Sequence, residues 1–272
     1  MKCFAIWYKP KSETQPAKKL EVELHLNLWQ FNSNNKFNTS YYLDIGLKLN
    51  NIKDTKPDRL QIYLPFKVKK GEIIDIGNRL RDEHLVAAIF NENYSVQVKH
   101  QSDFITLLDN HNIIFNIHEL KDSIEIDDSK YDGSLIKINV IPPENDLPLY
   151  YRIRVMSNEL KSLYHQYKPI NSWLDHYYTI TELVDFRINE GRVLGSDLSR
   201  DMQKEGIIDF KSIDFFNMAE YSYDYVSSNQ PLHRSRMLEK DVWDSYADNS
   251  CNCENIIAYQ LKWERQEDKP LL

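Results

Sequence analysis

Val22, Leu24, Leu26 and Leu28 alternate without a break with Glu21, Glu23, His25 and Asn27. Successive side chains of an extended chain point to opposite faces, so this period of two commits the segment to a half-buried strand. The pattern recurs at Leu43, Ile45, Leu47 and Leu49, with Asp44 and Lys48 on the opposite face. It recurs again at Leu60, Ile62, Leu64, Phe66 and Val68, where Pro65 inside the run predicts an edge strand. Further strands are expected at residues 4–8, 95–99, 113–118 and 135–141. A single helix is expected over residues 72–81, from the stripe of Ile73, Ile76 and Leu80. Asn, Asp, Ser and Pro fill the breaks. Seven or so strands with one short helix predict an antiparallel β-sandwich or open barrel.

Three prolines within residues 141–148 mark a change of texture. They predict an antiparallel β domain over 1–147 and an α+β domain over 148–272, or a long hairpin loop inside one continuous domain. Beyond the prolines, strands are expected at 149–156, 180–188, 212–218 and 255–263. Helices are expected after Ser157, where Leu160, Leu163, Tyr164 and Tyr167 share a stripe ended by Pro169, and at 196–205 and 236–246. The whole reads as a β-rich α+β protein, an antiparallel β-sandwich or open barrel followed by a mixed α+β segment. Its 272 residues suffice for one large core or two small ones.

Several function classes are excluded. With seven glycines, no G-x-G-x-x-G and no Gly-Lys pair, dinucleotide and P-loop nucleotide sites have no phosphate-cradling loop. No run approaches the about 18 consecutive apolar residues of a membrane-spanning helix. Lys+Arg number 34 against 41 Asp+Glu, a net charge of −7, concentrated in the second half (−6 over residues 137–272). Nucleic acid is therefore not the favoured partner. Cys3, Cys251 and Cys253 make an odd count without a disulfide framework. With no apolar leader segment, this predicts a cytoplasmic protein with reduced thiols. The Asn-, Ile-, Lys- and Tyr-rich composition fits an AT-rich, bacterial coding sequence.

Few motifs carry chemistry. Gly195-Ser196-Asp197 lacks the second glycine of a nucleophile elbow. Cys251-Asn-Cys253 has two thiols, but a closed zinc site needs four ligands, so no metal or cofactor is expected. The acidic run 125–132 lacks calcium-loop spacing. Gln97-Val98-Lys99 and Gln260-Leu261-Lys262 match the E/Q-x-K element of magnesium-dependent nucleases, the second with Asp244 upstream as a candidate metal ligand.

The most suggestive pattern is polar. Tyr150, Arg152 and Arg154 share one face of a strand, and Asp185, Arg187 and Asn189 share one face of another. As neighbours these strands would form a surface of guanidinium forks suited to an anionic ligand or a partner's carboxylates. Tyr221, Tyr223 and Tyr225 alternate in the same manner. The leading expectation is a non-catalytic binding module acting on a protein partner or small anionic ligand. The alternative is a magnesium-dependent nuclease built on Asp244, Gln260 and Lys262.

Overall fold

The alternating segment at residues 20–28 is the centre of a long strand in a ten-stranded sheet. The computed structural model describes residues 2–12, 18–32, 39–98, 102–121, 123–144, 146–167, 180–266 and 271. In chain order the first strands are β1 (Ala5–Pro10), β2 (Leu20–Asn32), β3 (Thr39–Leu49), β4 (Pro57–Leu64) and β5 (Ile73–Asp75). They are followed by β6 (Ser95–Val98), β7 (Phe104–Asp109), β8 (Asn112–His118), β9 (Ile124–Asp127) and β10 (Ser134–Asn139). The remainder are β11 (Leu149–Met156), β12 (Tyr164–Tyr167), β13 (Thr181–Val184), β14 (Ile208–Glu220), β15 (Leu232–Met237) and β16 (Ile256–Glu264). The α-helices are α1 (Ile52–Thr55), α2 (Glu83–Phe90), α3 (Ser196–Glu205) and α4 (Lys240–Tyr246).

The fold is β-rich α+β. A four-stranded antiparallel sheet, β1-β4-β10-β9, faces the large sheet, β15-β16-β14-β2-β3-β11-β8-β7-β6, on which β5 pairs with β11. The large sheet is mixed, because β14 runs parallel to β2 and β11 parallel to β8. Strands from both sides of residues 141–148 lie side by side in it, as β11 pairs with β3 and β14 with β2.

The main core lies between the two sheets. Leu24 and Leu26 of β2, Ile45 and Leu47 of β3, and Tyr151 and Ile153 of β11 meet Ile62 of β4 and Ile138 of β10 there. The outer face of the large sheet carries a second core beneath α2 and α4, including Trp29, Leu85, Val86, Trp243 and Tyr246. Helix α3 covers the outer face of the small sheet with Leu198 and Met202 against Ala5 and Trp7. Among the described residues no helix is long and apolar enough to cross a membrane.

Several local expectations are corrected. β4 is an interior strand between β1 and β10, and Pro65 falls just past its end at Leu64, where its missing N–H breaks no ladder. Residues 72–81 are two short 3-10 turns around β5, because Ile74 pairs with Arg154 of β11. Ser157 does cap a helical turn, accepting from the Glu159 N–H at 3.4 Å, but the turn is 3-10 (Asn158–Leu163) and Tyr164 then enters β12. Residues 232–237 extend the sheet as β15, so α4 starts only at Lys240. The strand expected over 180–188 is confined to β13. Lys99 and Pro169 lie outside the described residues.

Gly46 of β3 stands opposite Arg152 of β11, and a Cβ there would overlap the Tyr150 hydroxyl. The strand therefore needs glycine for close approach, without any unusual backbone angle. Gly46→Ala should cost about 1–3 kcal/mol, read from urea unfolding. An unchanged midpoint would mean that Tyr150 has room to move aside.

Candidate functional site

Register across the outer face of the large sheet builds the site. One row runs Lys262, Asp214, His25, Gly46, Arg152 through β16, β14, β2, β3 and β11. The next runs Gln260, Phe216, Asn27, Asp44, Arg154. Inward-facing neighbours of these residues are core leucines and isoleucines, so the polar row is a consequence of the same period of two.

Toward β11 the rows are sealed. Asp44 and Arg154 are both fully buried and joined by a two-pronged ion pair, Nε to Oδ1 at 2.6 Å and Nη2 to Oδ2 at 3.0 Å. Asp44 Oδ2 also accepts from Trp29 Nε1 at 2.9 Å and from the Tyr246 hydroxyl at 2.7 Å. Burial works against the Asp44 charge. The adjacent Arg154, with Arg152 and the Tyr246 hydroxyl, nonetheless holds its carboxyl below the usual aspartate range.

Arg152 is equally buried but forms no ion pair among the described residues. Its Nε donates to the Tyr246 hydroxyl at 2.7 Å and its Nη1 to the Tyr150 hydroxyl at 2.7 Å. With the Asn27 amide oriented to satisfy both of its groups, Nη2 donates to the Asn27 side-chain oxygen at 2.9 Å. Burial pushes both phenols up in pKa, so these acceptors are neutral. The Tyr246 hydroxyl thus links Arg152 to Asp44, accepting from the first and donating to the second.

Toward β16 the rows open into a pocket of about 220 Å³. Arg152, His25 and Asn27 line it from β11 and β2, Asp214 and Phe216 from β14, and Gln260 and Lys262 from β16. Arg234 and Arg236 of β15 face it, beside Phe90 and Asn91 at the C-terminal end of α2. Arg234 Nε donates to Gln260 Oε1 at 2.6 Å, and Gln260 Nε2 donates to Asp214 Oδ1 at 2.7 Å, which fixes that amide. Arg236 Nη2 donates to the Ala88 carbonyl at 2.7 Å, while its Nε is buried without a partner. Burial, reinforced by the charges of Arg152, Lys48 and Lys262, drives the His25 pKa down to about 3, so the imidazole is neutral. Burial pushes Asp214 up.

The chain has eleven arginines. Eight form an ion pair with Asp or Glu within 4.0 Å among the described residues. The three that form none, Arg152, Arg234 and Arg236, all line this pocket. Lys262 does have a carboxylate, Glu264 at 2.5 Å.

The sequence-based site is thus divided. Tyr150, Arg152 and Arg154 do share a face of β11, but beneath α4 rather than on the surface. Asp185, Arg187 and Asn189 lie beyond the end of β13, and the chain there runs along β1. Phe4 N–H donates to the Arg187 carbonyl, and Asn189 brackets Ile6, accepting from its N–H at 2.8 Å and donating to its carbonyl at 3.0 Å. Arg187 pairs with Asp185 at 2.8 Å and with Glu190. The single arginine face is therefore not formed, because β13 pairs with β12 and not with β11. Asp244 is also apart from Gln260 and Lys262, accepting from the Cys253 N–H at 2.9 Å. Asp214, not Asp244, is the carboxylate beside Gln260. Cys251 and Cys253 are buried with their sulfurs 3.4 Å apart, while Cys3 sits beside residues 187–190. Among the described residues no group of three or more His, Cys, Asp or Glu is arranged to hold a metal ion.

Sequence reasoning missed Arg234, Arg236, His25 and Asp214. The alternation of His233, Ser235 and Met237 with Arg234 and Arg236 carried the signal for β15, with every second residue exposed. No protein-family model matches the chain, and no curated protein matches its sequence.

Asp44 offers a test of the buried network. Its folded pKa is depressed below the unfolded aspartate value of about 3.9. Its contribution to stability is therefore full above that value and is lost as pH falls through the folded pKa. Asp44→Asn strands Arg154 and should cost about 3–5 kcal/mol at neutral pH. It should also flatten the acid limb of the stability curve below about pH 4. Urea unfolding across a pH series reads both, and an unaltered acid limb would assign it to other carboxylates.

Proposed function

We propose that the chain is a non-catalytic, cytoplasmic binding protein whose pocket over β2, β14, β16 and β15 holds a small anionic ligand. The observation that carries this reading is that the three arginines without an ion pair among the described residues converge on one pocket, in a chain with net charge −7. Guanidinium forks match carboxylate and phosphate oxygens, and such charge-assisted bonds are about twice as strong as neutral ones. A small ligand suits the site better than a partner's surface. Arg234 and Arg236 face a recess of about 220 Å³ with the buried Arg152 charge beneath its floor, a concave site that a flat protein face does not fill.

A magnesium-dependent nuclease is the second reading, favoured by one juxtaposition: Asp214 stands opposite Lys262 and bonds Gln260 on the adjacent strand. The occupied Gln260 amide argues against it, since its oxygen already accepts from Arg234.

Native mass spectrometry of the protein purified from its own cells should show a bound small-molecule mass. That mass should be lost from the Arg234→Gln/Arg236→Gln double variant, which should weaken binding by at least about tenfold. A bare parent chain, together with Mg²⁺-dependent cleavage of DNA or RNA abolished by Lys262→Ala, would reverse the order of the two readings.

A further inference from the structure

We infer that the group held in this pocket is a phosphate monoester on a small molecule, an inference that rests on the anion-binding reading above. Charge is the first argument. Lys262 is taken by Glu264, which leaves Arg152, Arg234 and Arg236 facing Asp214 and Glu92 as the pocket's acids. A monocarboxylate brings a single charge, whereas a phosphate monoester brings about −1.5 to −2 at neutral pH and three strong acceptor oxygens.

Direction is the second argument. Arg152 approaches from the floor on β11, while Arg234 and Arg236 come from β15, two residues apart on one face of the strand and so separated by roughly 7 Å. A planar carboxylate is satisfied by one fork, but a tetrahedral group presents oxygens to several forks at once. The donors are available. Arg234 bonds Gln260 through Nε and Asn91 through Nη1, which leaves Nη2, and Arg236 Nε has no partner among the described residues, while the fully buried Arg152 acts through its charge from beneath the floor. The Ala88 carbonyl at the end of α2 accounts for Arg236 Nη2 but not for that Nε.

Size is the third argument. At about 220 Å³ the recess falls below the roughly 300–1,000 Å³ of drug-sized ligand pockets. It suits a terminal phosphate with a short body against Phe90, Phe216 and Trp243, and not a strand of singly charged phosphodiesters.

Isothermal titration of the full chain at low ionic strength tests this with two families of probe. One is inorganic phosphate and glycerol 3-phosphate, the other acetate and citrate. The expected result is one-site binding of glycerol 3-phosphate that weakens about tenfold or more in Arg236→Gln. It should be unaltered in Arg192→Gln, whose side chain is 88% exposed and paired with Glu190. Circular dichroism checks folding, and Arg234→Gln carries the test if Arg236→Gln does not fold. Carboxylates binding with the same arginine dependence, and phosphates failing to bind, would overturn the phosphate assignment and leave the anion pocket standing. Failure of both families, or binding indifferent to Arg234 and Arg236, would overturn the inference and the pocket reading together.

Discussion

Asp44 is fully buried, and its two oxygens accept four hydrogen bonds from three different elements: two from Arg154 of β11, one from Trp29 of β2 and one from Tyr246 of α4. Removing a carboxylate from water costs several kcal/mol, and only a full set of partners offsets that cost. The arrangement therefore has little tolerance for partial assembly. β2, β3 and β11 must be in register and α4 must be docked before the carboxylate is satisfied. Arg154 Nη1 fixes the helix further by donating to the Tyr246 carbonyl at 3.1 Å, and Arg79 donates to the same carbonyl. Hydrophobic cover by Trp243 and Tyr246 supplies area, but the ion pair supplies the geometry.

That geometry reaches the pocket through a single phenol. The Tyr246 hydroxyl donates to Asp44 and accepts from Arg152, so the orientation of the pocket-floor guanidinium is set by a carboxylate that belongs to another arginine. Gly46 completes the device: without a side chain on β3, Tyr150 leans across the strand and delivers its hydroxyl to Arg152. Structure and candidate site are therefore not separable on this face. The sealed end of the polar rows fixes the Arg152 guanidinium through Tyr246, Tyr150 and Asn27, so its position costs nothing further to order.

Much of the fold was legible because an apolar inner face opposite a more polar outer one imprints a period of two, even where both faces are covered. β2, β3 and β11 could be read directly from Val22 to Leu28, Leu43 to Leu49 and Leu149 to Met156. Pairing was not legible. Alternation specifies which face is buried and says nothing about neighbours, so the parallel contact of β14 with β2 and the separation of β13 from β11 left no local trace. Short elements misled for another reason. Ile73, Ile76 and Leu80 do fall at helical spacing, but all three are buried from 3-10 turns and a three-residue strand, where tertiary contacts outweigh propensity. Helix α2 was recoverable: Asp82 accepts from the N–H groups of His84 and Leu85, and Asn91 ends the helix in the left-handed region at φ 57°. On the site, the sequence singled out nine residues, of which the fold brings Arg152, Gln260 and Lys262 to the pocket wall, leaves Tyr150 and Arg154 buried beside it, and places Asp185, Arg187, Asn189 and Asp244 elsewhere. It missed the roles of Arg234, Arg236 and Asp214, because these depend on β15 lying at the sheet edge beside β16.

The pattern of arginine pairing bears on why the pocket is cationic at all. Acids outnumber bases in this chain, 41 to 34, so a carboxylate is within easy reach of most surface positions, and eight arginines have one. Complementing the C-terminal carbonyls of α2 explains part of what Arg236 does, since helix C-termini attract cations. It does not explain Arg152, which sits on β11, makes no bond to that helix and has lost all its contact with water. Three neutral acceptors leave a buried guanidinium incompletely compensated, and the cost falls on the folded state. Had stability alone shaped the face, a second carboxylate near Arg152 or an apolar residue in its place would relieve it. The residue stays charged beneath a recess faced by two further arginines that have no ion pair among the described residues, and this imbalance of charge is what the proposal of an anionic ligand rests on.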